Sequence, residues 1–324
     1  MALFEKRVNL KPYEYPDLLR FRDAIRHSYW LHTEFSLSGD VQDWHARTEP
    51  HERNALKNTM LAISQIEVSV KTFWARIYDR MPKPEIAEVG MTFAESEVRH
   101  ANAYSHLLDL LGLSGEFEKI HSIPAIMDRI QYLQRAQDGM RSSDNRQFAL
   151  TVLLFSAFVE HISLFSQFLI IMAFNKHRAA FKGVSNIVEA TSKEEQIHGM
   201  FGVELVRILQ HEYPDWFDAE TEDTILRAVE RAYAAEQHIL DWIFERGELD
   251  YLPRHQVDEF LKYRFNNSLR SVGIQPLFSV DEQALAATRW FDEEMLATKE
   301  NDFFNKRSIT YSKKMKSFSE EELF

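Results

Sequence analysis

Chain-breaking residues are scarce in this sequence, and where they fall constrains what it can fold into. Glycine and proline number 10 and 9 among 324 residues, below average usage. A sheet-rich fold needs many tight turns, and these residues are their usual source. Long stretches carry helical spacing instead. Within residues 55–78, apolar side chains fall at Leu56, Met60, Ile63, Ile66 and Val70. Those steps of three and four put them on one helix face. Pro82 and Pro84 close that segment. A second helix is expected from Pro84 or Glu85 to Leu111, stopped by Gly112 and Gly115. Residues 146–174 and 185–210 make two more. Each of the four is about 25 residues, roughly 37 Å at 1.5 Å per residue. A shorter helix is expected at 126–137, and others at 220–246, 256–271 and 280–297. No internal repeat and no Gly-, Pro- or Ser-rich linker divides the chain. The expectation is a single all-α domain over residues 1–307, then a Ser-, Lys- and Glu-rich mobile tail over 308–324.

Composition narrows the chemistry. Hydrophobic residues make up 45%, enough to bury a large core. Lys and Arg total 38 against 50 Asp and Glu, a formal net charge of −12. No basic stripe is available to neutralise phosphates, so nucleic acid is not an expected partner. There is no cysteine, which excludes disulfides, thiolate zinc sites and thiol nucleophiles within the chain. Any metal must be held by His, Asp and Glu, and the chain has 13 His and 32 Glu. The start, Met1 to Arg7, lacks the apolar core of a signal peptide. The longest apolar run, 164–174, is interrupted by Ser166 and Gln167. It falls short of the roughly 18 residues of a membrane span. The chain reads as cytoplasmic, with no membrane partner.

Glu-x-x-His occurs three times: Glu97/His100, Glu118/His121 and Glu195/His198. With Glu near 10% of the chain, 13 His give about one match by chance, so placement must sort them. Glu118/His121 lies between Gly115 and Pro124, in a connection, and is taken as the chance match. The other two lie midway along long helices, where positions i and i+3 share a face and can aim two ligands inward. Glu67 and Glu160 fall inside the remaining two long helices, in apolar company. A carboxylate there is costly unless paired or bound to a cation. Glu, Glu-x-x-His, Glu, Glu-x-x-His on the four long helices, in that order, is the ligand set of carboxylate-bridged di-metal bundles. Glu67, Glu97, His100, Glu160, Glu195 and His198 are therefore expected to bind two divalent ions about 3.5–4 Å apart. Oxygen ligands with one imidazole per ion suit Fe(II) or Mn(II).

The surroundings of the first pair carry a family resemblance. Glu97-Val98-Arg99-His100-Ala101-Asn102-Ala103-Tyr104-Ser105-His106 has the pattern E-x-x-H-x-x-x-Y-x-H. It resembles the small, radical-generating (beta) subunit of class I ribonucleotide reductase. The resemblance runs from Trp30 to the tail. It implies a ferritin-like bundle with additional helices, a homodimer, and a separate large (alpha) subunit as partner. Tyr104 matches the radical tyrosine of that family, and Trp30 the tryptophan of its electron-transfer route. Glu194 stands where the family usually has an Asp that bonds the tryptophan. Tyr311 matches the tail tyrosine that relays the radical. The end, Glu320-Glu321-Glu322-Leu323-Phe324, is similar to tails that dock on the large subunit. Nucleotide reduction needs thiols, so the resemblance assigns substrate, effectors and redox cysteines to the large subunit.

Two departures bear on the oxidant. The first ligand is usually Asp in this family, and here it is Glu67; subgroups with Glu include manganese-containing ones that keep the oxidising equivalent on the metals. Around Tyr104, Leu164 and Phe168 are the apolar residues expected, but Thr191 stands where an apolar residue is usual. A hydroxyl there can bond or hydrate Tyr104 and leave a tyrosyl radical less protected. Both favour manganese (Mn/Mn or Mn/Fe), with iron the alternative. Two rivals remain on the same bundle. A ligand-binding oxidase or monooxygenase needs a substrate channel to the metals and no use for Trp30, Glu194 and Tyr311. A ferritin-type storage protein predicts a shorter, shell-forming chain.

Overall fold

The computed structural model describes residues 3–297, whose regular elements are helices, with no strand among the described residues. Two short helices, α1 (Leu19–His27) and α2 (Ser38–Ala46), precede the long α3 (Pro50–Arg80) and α4 (Pro84–Leu110). A one-turn α5 (Ser114–Phe117) leads to α6 (Pro124–Gln137), α7 (Asn145–Leu154) and α8 (Phe165–Arg178). Then come α9 (Lys182–Glu212), α10 (Ala219–Ile243), α11 (Arg254–Ser271), α12 (Glu282–Ala286) and α13 (Arg289–Ala297). The inner four-helix layer is α3, α4, the α7–α8 segment and α9. Around it, α1 lies on α4 and α9, α6 pairs with α10, α11 packs on α8, and α13 touches α9.

Local chemistry starts and stops the long helices. Pro50 opens α3 at a position where a missing N–H costs nothing. Glu49 and Glu52 add a reciprocal cap, the Glu52 carboxylate accepting from the Glu49 N–H at 3.0 Å. Pro84 likewise opens α4. The start of α9 is capped from a distance. Its own N-cap residue, Phe181, contributes no side-chain bond and has a positive φ of 56°. Asp43 of α2 instead accepts from the Phe181 N–H at 2.8 Å. Asp40 accepts from Gly183 at 3.2 Å and Val184 at 2.9 Å. Those carboxylates meet the N–H groups that the first helical turn leaves over. A Cβ on Gly183 would sit 2.4 Å from the Ser36 carbonyl, so only glycine permits this approach.

The third long helix departs from the sequence reading. The expected continuous span of 146–174 is α7, a π-helical turn at Phe155–Glu160, a non-helical stretch over 161–164, and α8. No proline or glycine marks this break, so periodicity alone did not reveal it. The expected helix over 280–297 is likewise two, α12 and α13. As one stretch, Asn145–Arg178 is long and apolar enough to cross a membrane, which counting the uninterrupted run alone had excluded. Its most apolar window is 83% buried inside the bundle, as befits a central helix with neighbours on every side.

Candidate metal centre

The four long segments bring six side chains to one place in the core. Glu67, Glu97, His100 and Glu195 form one group whose ligand atoms all lie within 4.8 Å of one another. Glu97, Glu160, Glu195 and His198 form a second. Glu97 and Glu195 belong to both, so the groups interlock through two shared carboxylates. Each Glu-x-x-His pair sits on one face of a regular helix, α4 or α9, as i,i+3 geometry dictates. Glu67 comes from α3, and Glu160 is the last residue of the π turn. All six are essentially buried. Glu118 and His121 are exposed on the connection after α4 and belong to neither group.

Both imidazoles present Nδ1 to the carboxylates. His100 Nδ1 lies 2.9 Å from Glu195 and 3.4 Å from Glu97. His198 Nδ1 lies 3.0 Å from Glu97, 3.3 Å from Glu195 and 3.5 Å from Glu160. Yet His100 Nδ1, both Glu97 oxygens and Glu195 Oε1 form no hydrogen bond. Their lone pairs converge on shared space rather than on one another. Four carboxylates face two imidazoles in a buried interior, an excess of acid that a bound cation would offset. The same excess is felt in the proton affinities. Burial lowers the His100 pKa, but Glu194, Glu195 and Glu97 outweigh it and hold it well above its usual value. The same holds for His198, through Glu160, Glu195 and Glu97. Burial and the charge of Glu195 push the Glu160 carboxyl well up. Burial also works against Glu195, but the two imidazoles close beside it hold it below the usual carboxylate range. The donor set fits two divalent ions with carboxylate bridges.

Three supporting residues escaped the sequence reading. Trp74 donates its indole N–H to Glu160 at 2.9 Å. It lies seven residues, two helical turns, after Glu67, and that spacing was the available signal. Ser96, beside Glu97, meets His198 Nε2 at 2.9 Å. Arg99 donates to Glu194 at 3.1 Å and to the Trp30 carbonyl at 3.2 Å. The Ser96 contact, on the second nitrogen of His198, sets tautomer and ring orientation.

The other candidate residues fall as follows. Glu194, fully buried, accepts at 2.7 Å from His100 Nε2. It does not bond the tryptophan: the Trp30 indole N–H has no hydrogen-bond partner among the described residues. Trp30 instead stacks on His100, rings 5.9 Å apart and 17° from parallel. Tyr104 is buried one helical turn past His100, and burial with the nearby Glu67 charge raises its phenol pKa far above normal. Thr191 faces it and opposes that shift, though neither hydroxyl has the geometry of a formed hydrogen bond. Leu164 and Phe168 are buried. Tyr311, Phe324 and the 308–324 tail lie outside the described residues.

Fold and site together define a ferritin-like helical bundle around a buried carboxylate-histidine cluster able to hold metal ions. Residues 7–284 match the family model described as ribonucleotide reductase, small chain, and the chain belongs to that family. A protein of Invertebrate iridescent virus 3 named "Probable ribonucleoside-diphosphate reductase small subunit 048L" is 25% identical over 97% of this chain and 86% of its own. The ribonucleotide reductase R2 subunit of Clostridium botulinum superposes with a TM-score of 0.73 at 16% identity, covering 87% of this chain and 89% of its own. The dimanganese(II)-NrdF protein of Streptococcus sanguinis gives 0.68 at 15%, covering 87% and 97%. An R2-like ligand-binding oxidase with a Mn/Fe cofactor gives 0.69 at 16%, covering 82% and 95%. At these identities the solved structures speak for the fold alone.

Proposed function

We propose that this chain is the radical-generating small subunit of a class I ribonucleoside-diphosphate reductase, acting in the cytoplasm as a homodimer with a separate large subunit. The observation that carries this reading is the pair of interlocked ligand groups with Trp30 stacked on His100. Glu67, Glu97, His100, Glu160, Glu195 and His198 would hold two ions. A manganese or iron pair bound there would supply one-electron redox chemistry. The protein's own part is orientation and conduction. Glu194 takes the His100 Nε2 proton into a charged hydrogen bond and so frees Nδ1 for a metal. Arg99 links Glu194 to the Trp30 backbone, which keeps indole and imidazole parallel. An electron drawn through Trp30 then has a stacked route to His100, with no bulk water between. Tyr311 and the acidic end of the 308–324 tail would complete the relay and dock on the large subunit. The homodimer reading draws on Val68, Met91 and Val98, apolar yet 63%, 60% and 47% exposed on the paired α3 and α4.

Manganese is the favoured metal, with the stable oxidant on the ions rather than on Tyr104. Glu67 in place of Asp supports this, as does the polar Thr191 beside a phenol that lacks a formed hydrogen bond. The test is reductase activity with the large subunit after loading with manganese and, separately, with iron. Tyr104→Phe should keep substantial activity with manganese. Inactivity under both loadings, with an organic-radical EPR signal in the parent, would place the oxidant on the tyrosine. Trp30→Phe and Tyr311→Phe should each abolish nucleotide reduction while the metals stay bound and oxidisable; parallel loss of metal would make them structural residues.

A further inference from the structure

Glu160 is a ligand candidate at the end of an irregular turn, and irregular backbone frees carbonyls that must find donors elsewhere. Side chains supply them. Ser268 of α11 donates to the Ala157 carbonyl. Ser163 donates to the Phe158 carbonyl at 3.1 Å. Arg264, one helical turn before Ser268 on the same face of α11, gives two bonds to the His161 carbonyl, Nε at 3.1 Å and Nη2 at 2.7 Å. Its guanidinium lies 3.6 Å over the ring of Phe165, the first residue of α8. Asp292 of α13 approaches the same group at 3.7 Å. One side chain thus grips the chain directly after Glu160, the start of the next helix, and the last described helix.

The two flanks of the turn differ. Against α9 there is no slack: a Cβ on Gly199 would sit 2.0 Å from the His161 ring, and one on Gly202 1.9 Å from the Ser156 hydroxyl. On the α6–α10 side, Leu154, Phe158 and Val159 line a partly open pocket of about 60 Å³ with Tyr132 and Arg231. A close-packed interior resists displacement, whereas free volume permits it. The turn therefore has space to relax into, and the α11 contacts oppose that motion.

We propose that Arg264 is a positioning residue for Glu160: its paired hydrogen bonds to the His161 carbonyl fix the π turn and so complete one of the two ion sites. This rests on the metal-binding reading above. Glu160 belongs only to the group containing His198, not to the one containing Glu67 and His100. Loss of the grip should therefore weaken one ion and spare the other.

The experiment is equilibrium dialysis of the full chain with Mn(II), followed by EPR, on the native protein, Arg264→Gln, Arg264→Lys and Ser268→Ala. In Arg264→Gln the first equivalent should bind as in the native protein and the second at least about tenfold more weakly, the scale of losing an outer-shell partner. At one equivalent its spectrum should be the hyperfine-split signal of an isolated Mn(II), and amide exchange over 156–163 should quicken. Arg264→Lys, which keeps one donor, should recover part of the second site. A folded Arg264→Gln that binds both ions as the native protein does, or loses both equally, overturns the proposal. If that variant does not fold, Ser268→Ala applies the same one-ion criterion with a smaller change. A native chain that binds no Mn(II) would overturn the metal reading and this inference together; two native ions with both equally affected in the variants overturns this inference alone.

Discussion

Two buried polar clusters lie in this bundle, and they are built on opposite principles. Between α6 and α10, Arg129 pairs with Glu236, Nε to carboxylate at 3.0 Å, with both side chains fully buried. The remaining Arg129 donors go to the Ala62 carbonyl at 3.3 Å and Gln167 at 3.0 Å. Tyr132 donates to Glu236 at 3.0 Å and contacts Ser163. One positive charge meets one negative charge, and each has its donors or acceptors filled by protein. The ligand cluster has four carboxylates, two imidazoles and several lone pairs without a bond. Burial is equal in the two, so burial does not separate structural from functional charge. Balance does: the first cluster pairs its charges within the chain, and the second gathers an excess of carboxylates able to hold cations.

The sharpest break of that contrast is Glu97→Ala. Glu97 serves both ligand groups, so bound metal should fall from about two ions per chain to none, read by elemental analysis after dialysis. Retention of both ions would mean that the shared carboxylate is no bridge. Glu160→Ala, a member of one group only, should lose at least one.

Breaking the balanced cluster should act on stability instead. Arg129→Leu strands the Glu236 carboxylate and should cost about 3–5 kcal/mol in urea unfolding, with metal content unchanged in the folded fraction. Changing both partners, Arg129→Met with Glu236→Leu, should restore most of that loss, since the desolvation cost disappears with the charges. A double variant no more stable than the single one would show that the pair does more than fill space.

Metal removal should separate the clusters next. Free Mn(II) at about 100 times its dissociation constant should stabilise the native chain by about 2.7 kcal/mol per site, and a chelator should reverse this. The same titration on Glu97→Ala should give no shift; an equal shift there would locate the binding elsewhere. The smallest effect is expected from Ser96→Ala. It removes the partner of His198 Nε2 and a bond to the Phe93 carbonyl within α4, and should weaken metal binding about tenfold. Unchanged affinity would mean that packing against Phe93, whose ring centroid lies 4.2 Å from that of His198, orients the imidazole without help.

The sequence by itself determined what depends on short-range geometry. Helical periodicity and sparse chain breakers dictated long helices, and i,i+3 spacing put Glu97 with His100 and Glu195 with His198 on single faces, because those relations hold within one helix. The lone Glu67 and Glu160 were recognisable only from the order of residue types along four helices. The tertiary structure decided everything that depends on which side chain lies across from which. The Glu194 carboxylate goes to His100 and Arg99, with Trp30 stacked beside them rather than bonded to it. Trp74 and Ser96 meet Glu160 and His198 only across helices. The break after Glu160 carries no proline or glycine. It is held by Arg264 and Ser268, about a hundred residues later in the chain, and admitted by Gly199 and Gly202, whose missing side chains leave room for it. Local periodicity cannot encode such contacts, since their energy exists only once distant segments have packed.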